Sequence, residues 1–348
     1  MTRLLSIDPL HIDDALIQRA AQVIRKGGLV AFPTETVYGL GANALDSAAV
    51  ARIFTAKGRP ASDPVIVHIG ERDQLDQVAL NVPPLASRLA ERFWPGPLTL
   101  VLTRHPSIPA IVSSGMPTVA VRMPSHPVAL ALLRAAQVPI AAPSANRFSR
   151  PSATTAQHVL EDLHGAVDLI LDGGPASIGL ESTIVDLTGD PPVVLRPGGI
   201  PLEDLRTLLP ALQVQVRLLR EDEDGILAPG MLYKHYSPRA PLLLFDGPHQ
   251  SVVEAMRRTV LDMHSRGKAV GLLIASGERS SFDDLPALLF DMGGDLAAIS
   301  SQLFEGMRSL DRQGVDAILV HGYDRVGLGL ALWDRLLRAA EGRVIECG

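Results

Sequence analysis

An apolar run, Leu29-Val30-Ala31-Phe32, passes without a break into Pro33-Thr-Glu-Thr-Val-Tyr-Gly-Leu-Gly-Ala-Asn-Ala44, and this junction limits the choice of fold more than any other feature of the chain. A short apolar run closed by proline reads as a buried strand. Thr34, Glu35, Thr36 and Tyr38 then emerge together at a strand end, beside glycines that leave the backbone open to a ligand. Open α/β sheets bind their ligands at strand ends.

The same alternation continues along the chain. Helical spacing of Ile12, Leu16, Ala20, Val23 and Ile24 predicts a helix over His11–Lys26, with Asp13 or Asp14 as N-cap and Gly27-Gly28 as the stop. Further helices are predicted over 46–57, 87–93, 126–137, 155–163 and 202–209, and strands over 65–69, 98–102, 118–122, 139–142, 167–171, 182–187 and 193–196. Arg220–Pro241 carries an acidic run, Pro and Gly without periodicity, and reads as a linker. Strands then alternate with helices again from Leu242 to Ala340, predicting a small α/β domain with a parallel sheet. The expected organisation is a first domain over 1–219, a linker over 220–241 and a second domain over 242–348.

Composition supports two domains, because 348 residues exceed one ordinary domain. Hydrophobic residues make up 47% and aromatics only 4%, so Val, Leu, Ile and Ala must fill the core, as in helix-covered sheets. A net charge of −6 counts against a chain devoted to gripping a nucleic-acid backbone, though it leaves room for a local basic patch. The single cysteine, Cys347, can build neither an internal disulfide nor a cysteine zinc site. The acidic N-terminal stretch does not read as a signal peptide, and no apolar window approaches the ~20 residues of a membrane span. The expectation is a cytoplasmic protein.

No Walker A motif occurs. Gly39-Leu-Gly41-Ala-Asn-Ala44 fits a dinucleotide fingerprint by letter, but six residues separate the strand from its first glycine and the next helix starts only at Asp46. Lys57 and Arg59 flank Gly58 at a helix end; helix-terminal electrostatics would explain both, and so would a pair of cations reaching for phosphate. Arg122 closes a strand where an apolar residue is usual, Ser144-Ala-Asn146 and Glu181-Ser182-Thr183 flank strands, and Arg196 closes another. Each has an ordinary turn or surface explanation; several such polar strand ends in one domain favour a site. His68 sits in an apolar strand, where a core histidine is common. No zincin spacing, G-x-S-x-G elbow or histidine-partnered cysteine is present. The residues suit positioning and charge stabilisation of an anion rather than covalent catalysis.

Taken together, FPTETVYGLGANA at Phe32, KGRP at Lys57, PLTLVL at Pro97, TVAVRMP at Thr118, APSAN at Ala142, RPSATTAQHV at Arg150, ESTIVDL at Glu181, VVLRPGGI at Val193 and APGMLYKHYSP at Ala228 resemble the Sua5/YrdC/YwlC family, in its longer two-domain form. The resemblance implies a YrdC-like open twisted mixed α/β sheet with helices, followed by a smaller Rossmann-like α/β domain. It implies synthesis of threonylcarbamoyladenylate from L-threonine, bicarbonate and ATP with release of pyrophosphate, the activated group then passing to adenosine 37 of tRNA through other proteins. No tight nucleic-acid binding and no membrane partner are expected. Carried over by position, Thr36, His68, Arg122, Ala142 (through its backbone) and Ser182 would hold L-threonine. Arg59, Asp63, Thr118, Ser144, Ser152, Arg196 and Tyr236 would hold ATP, and Lys57, Arg59, Ser144 and Asn146 match the family's catalytic tetrad. His235 and Tyr236 would close over the nucleotide as a lid. Mg2+ would arrive with the ATP phosphates, and no organic cofactor is implied. Asp63 departs from the asparagine common in the family, and a carboxylate beside phosphate repels unless a cation intervenes. Two rivals remain, an RNA-binding module and a carbamoyltransferase like the hydrogenase-maturation protein; the acidic balance opposes the first and the lone cysteine the zinc fingers of the second.

Overall fold

The computed structural model describes residues 2–215 and 235–348, which divide into two compact units, 2–148 with 152–215 and 149–151 with 235–348. The first is built on a twelve-stranded mixed sheet. Across it the strands run Arg3–Ser6, Leu169–Asp172, Val30–Phe32, Gly39–Asn43, Ile140–Ala141, Val67–His68, Thr118–Arg122, Leu98–Arg104, Thr183–Asp186, Val193–Arg196 and Gln213–Val214, with Ala79–Leu80 paired to Leu98–Arg104.

One face of this sheet is covered by the helices Asp14–Arg25 and Pro127–Ala136. Ile17, Ala20, Ala21 and Ile24 of the first meet Val128, Leu132, Leu133 and Ala136 of the second over Val30, Phe32, Ile140 and Leu171. Each fully buried Ile, Leu or Val there contributes roughly 1.5–3 kcal/mol relative to exposure. Asp13 caps the first helix through the N–H groups of Ala15 and Leu16, as its spacing predicts. Asp46 does the same for Ser47–Lys57, and Gly58, left-handed at φ 65°, ends that helix.

Gly39–Asn43 departs from the sequence reading, which gave this glycine-rich stretch no element. It is a strand, antiparallel to Val30–Phe32, with Phe32 opposite Gly39 and Val30 opposite Gly41. A Cβ on Gly41 would lie 2.7 Å from Ile140 Cγ2 and 2.9 Å from the Phe32 ring. The glycine therefore serves close strand packing, and the resemblance to a dinucleotide turn is only one of letters. The Arg3–Ser6 and Val344–Glu346 strands also went unpredicted; both are polar or exposed, and sheet pairing rather than patterning makes them strands.

The second unit carries a five-stranded sheet in the order Leu288–Asp291, Val270–Ile274, Ala317–His321, Leu242–Asp246, Val344–Glu346, with every pair parallel. Helices His249–Ser265, Leu296–Arg312 and Gly329–Ala339 connect the strands. Phe245, Leu272, Ile274 and Leu319 bury one face against Val252, Met256 and Val260. The alternation of strands and helices and the parallel sheet expected over Leu242–Ala340 are those observed. Among the described residues, no helix is long and apolar enough to cross a membrane.

Candidate active site

The centre of the first sheet brings together residues far apart in sequence. His68 and Arg122 are register partners on adjacent parallel strands, and Arg122 lies opposite Thr99 on the next strand. Directly opposed residues share a sheet face, so these three side chains form one row. Thr99 Oγ1 lies 2.7 Å from Ser182 Oγ, which extends the row to the Glu181-Ser182-Thr183 segment. Thr36 joins it by accepting from Arg122 Nη1 at 2.8 Å. The reach of the Thr34 turn explains how: Thr34 Oγ1 donates to Val37 O at 2.6 Å and folds the strand end back on itself.

Arg122 is buried and already carries a counterion that the sequence reading missed. Its Nη2 donates to Glu35 Oε1 at 2.6 Å, and its Nε to Gly96 O at 3.3 Å. The other Glu35 oxygen accepts from Ser125 N at 3.1 Å. A guanidinium has five N–H groups, so three are committed and two remain for a ligand. The signal for Glu35 was present: a carboxylate directly after a buried strand needs a cation.

His68 is only 3% exposed, and its Nδ1 has no hydrogen-bond partner. Burial, reinforced by the Arg122 charge, pushes its pKa down to about 3, so the ring is neutral near pH 7. Phe32 meets it edge to face at 6.1 Å. Ala142 is next to this group in the sheet; its N–H donates to Ile66 O at 2.8 Å, which leaves the carbonyl for any backbone contact to a ligand.

The cations form a second group. Lys57 is buried, and its ammonium donates to the carbonyls of Ser144 and Asn146. This corrects the expectation of a lysine reaching outward to phosphate: a buried ammonium must be satisfied, and the Pro143–Asn146 turn is what satisfies it. The same turn is strapped to the Gly39 strand through Leu40 N to Pro143 O and Ala145 N to Tyr38 O, both 2.8 Å. Of the N–H groups of Ser144–Asn146, that of Ala145 is thereby committed to Tyr38 O. Arg59 pairs with Asp63 at 2.8 Å, both side chains almost wholly buried, and donates to Pro64 O at 2.7 Å. Burial raises the Asp63 pKa, while Arg59, Lys57 and Arg196 act against that rise. Three cations thus bear on one carboxylate. Arg59 is the intervening cation that the aspartate requires.

Arg196 links the two groups, donating from Nε and Nη2 to Ser182 O at 3.2 and 3.0 Å. Ser152 Oγ donates to the buried carboxylate of Glu181, a second partner absent from the sequence reading. Thr118 starts the strand that Arg122 ends, on the same face and about 13 Å away at ~3.3 Å per residue. His235 and Tyr236 belong to the second unit, where the Tyr236 ring lies 5.4 Å from Phe304 with Arg335 stacked at 5.2 Å. The rest of the proposed lid, Ala228–Lys234, lies outside the described residues.

A family model of Sua5, YciO and YrdC, described as telomere recombination, matches residues 22–198, which is half of the chain. The chain belongs to the Sua5/YrdC family. A second model, described as the C-terminal domain of threonylcarbamoyl-AMP synthase, matches residues 200–341 of this family member. Its relatives include the threonylcarbamoyl-AMP synthases of Pyrococcus abyssi, 46% identical over 97% of both chains, and of Bacillus subtilis, 42% identical over 97% of both. The crystal structure of Pyrococcus abyssi Sua5 complexed with L-threonine superposes with a TM-score of 0.93 at 45% identity, covering all of both chains. The mixed α/β architecture and the two-domain form expected from the resemblance agree with these likenesses.

Proposed function

We propose that this chain is an L-threonylcarbamoyladenylate synthase, joining L-threonine, bicarbonate and ATP and releasing pyrophosphate. One observation supports the reading above the rest: a polar row of Thr36, His68, Arg122 and Ser182 is joined through Arg196 to a cationic cluster with Lys57 and Arg59. End-to-end relatives of that name support it further.

In this reading the threonine carboxylate takes the two uncommitted N–H groups of Arg122, a charge-assisted fork. His68 accepts from the substrate nitrogen. Because its pKa is held near 3, it orients the amine without storing its proton, which must leave with bicarbonate or water. The threonine amine adds to CO2 with loss of a proton, or to bicarbonate with loss of water, to give a carbamate, and a carbamate oxygen attacks the ATP α-phosphorus in line, expelling pyrophosphate. Lys57 holds the Ser144–Asn146 turn, while Arg59 and Arg196 offset the charge growing on the phosphates; phosphoryl transfer draws most of its catalysis from such positioning and charge. ATP spans toward Thr118, Ser152 and Asp63.

Mg2+ would come in on the triphosphate, where it would offset phosphate charge; Asp63 is engaged by Arg59. The product would pass to the machinery that modifies tRNA position 37, and a cytoplasmic location fits that hand-off. Pyrophosphate release from ATP should require both L-threonine and bicarbonate; release independent of either would refute the reading.

A further inference from the structure

The second unit contains a cleft of about 440 Å³ that the proposed chemistry does not use. Arg150, Arg239 and Arg343 line it together with Ser149, Ser237 and Glu341. Against a chain charge of −6, three guanidiniums facing one carboxylate make an unusual local excess. We propose that this cleft is a binding site for a small phosphate-class oxyanion.

Its walls are fixed by short-range geometry. Ser237 N donates to Ser149 O at 2.7 Å, and the N–H groups of Arg239 and Ala240 both donate to the Asp311 carboxylate, at 2.7 and 3.0 Å. These contacts anchor the backbone and leave the Arg239 side chain to the cleft. Among the described residues the Arg239 guanidinium has no hydrogen bond or ion pair, and Arg343 commits only Nε, to Ala340 O at 3.0 Å. Ser149 and Glu341 both hold left-handed backbone, φ 64° and 51°, a conformation that costs energy for residues with a Cβ and clusters at ligand sites.

The deciding feature is Ser237. Its side chain is 6% exposed, and its hydroxyl has no partner in the protein. A buried hydroxyl without a hydrogen bond is costly, and a ligand oxygen would relieve it. Charge selects the ligand class. Three arginines outnumber Glu341 and the Asp311 carboxylate behind the wall, and the formal excess of positive charge favours an anion. Planar guanidiniums suit phosphate oxygens in paired contacts. The volume falls within the range of small-molecule sites, ~300–1,000 Å³. The site shares no residue with the cationic cluster of the first unit.

The test is calorimetric titration of inorganic pyrophosphate into the full chain and into an Arg239→Gln/Arg343→Gln variant. Both side chains are exposed, so the fold should survive; circular dichroism checks it. The parent should show a class of pyrophosphate sites that the double variant loses or binds at least tenfold more weakly. Any pyrophosphate bound by the first unit is common to both and cancels, so this outcome is independent of the synthase reading. Ser237→Ala should weaken the same class several-fold. Identical isotherms for parent and double variant would overturn the proposal. So would loss in Ser237→Ala with no change in the double variant, which would take the arginines out of the site. Competition by orthophosphate and by AMP then tells a free phosphate from a nucleotide phosphate.

Discussion

His68 allows a direct test of how burial shapes the first unit. Its pKa of about 3 in the folded protein lies below the ordinary value of 6.5, chiefly through burial. The sign follows from linkage: a depressed histidine leaves its contribution intact above pH 6.5, and stability is lost as pH falls through the window from 6.5 toward 3. At ~1.36 kcal/mol per pH unit, the loss by pH 4.5 is about 2.7 kcal/mol. At 3% exposure the ring has little solvent to screen it. His68→Gln keeps a neutral polar side chain without the titration. The two tryptophans fall one in each unit, so in a Trp333→Phe background the buried Trp94 reports on the first unit alone. Urea unfolding followed by Trp94 fluorescence at pH 7.5 and 4.5 should show the parent losing about 2.7 kcal/mol more than His68→Gln between the two conditions. Other titrating groups of the first unit, His126 included, are common to both proteins and cancel. Equal losses in the two proteins would refute the argument and place His68 in contact with water.

Three further perturbations test the surrounding charges. Glu35→Gln leaves the Arg122 guanidinium buried without its counterion and should cost roughly 3–5 kcal/mol of stability. Added L-threonine should raise the melting temperature of Glu35→Gln more than that of the parent, because a substrate carboxylate replaces the lost charge; an equal rise in both would remove Glu35 from the threonine site. Asp63→Asn removes the single carboxylate on which Arg59, Lys57 and Arg196 converge, so KM for ATP should fall a few-fold in a pyrophosphate-release assay, and a rise would show that Asp63 organises the cluster instead. In the second unit, burial lowers the His321 pKa but the Glu278 carboxylate at 2.7 Å outweighs it and the net shift is upward. His249, Tyr323 and Asp246 are the other groups near it. The stability this pair contributes is therefore complete below pH 6.5 on the histidine side and is lost as pH rises through the raised value. Trp333 fluorescence in a Trp94→Phe background should show that loss, and His321→Gln should flatten it.

Local chemistry in the sequence determined most of the elements. Asp46 and Gly58 bound one helix by capping, Thr118–Arg122 and Val193–Arg196 are strands at their predicted limits, and a polar residue at each strand end marks where the site would form. These features depend on neighbours a few residues away, which a single chain displays. The tertiary structure alone decided which strand ends meet. Gly39–Asn43 became a strand because Val30–Phe32 lies beside it, against the low strand preference of glycine. Lys57 found carbonyls at Ser144 and Asn146, Arg122 found Glu35, and Asp63, already near Lys57 and Arg59 in sequence, came under the distant Arg196 as well. Buried charges must be paired, but periodicity does not say with which partner. That choice rests on the order of strands in the sheet, and the order is settled by packing over the whole unit.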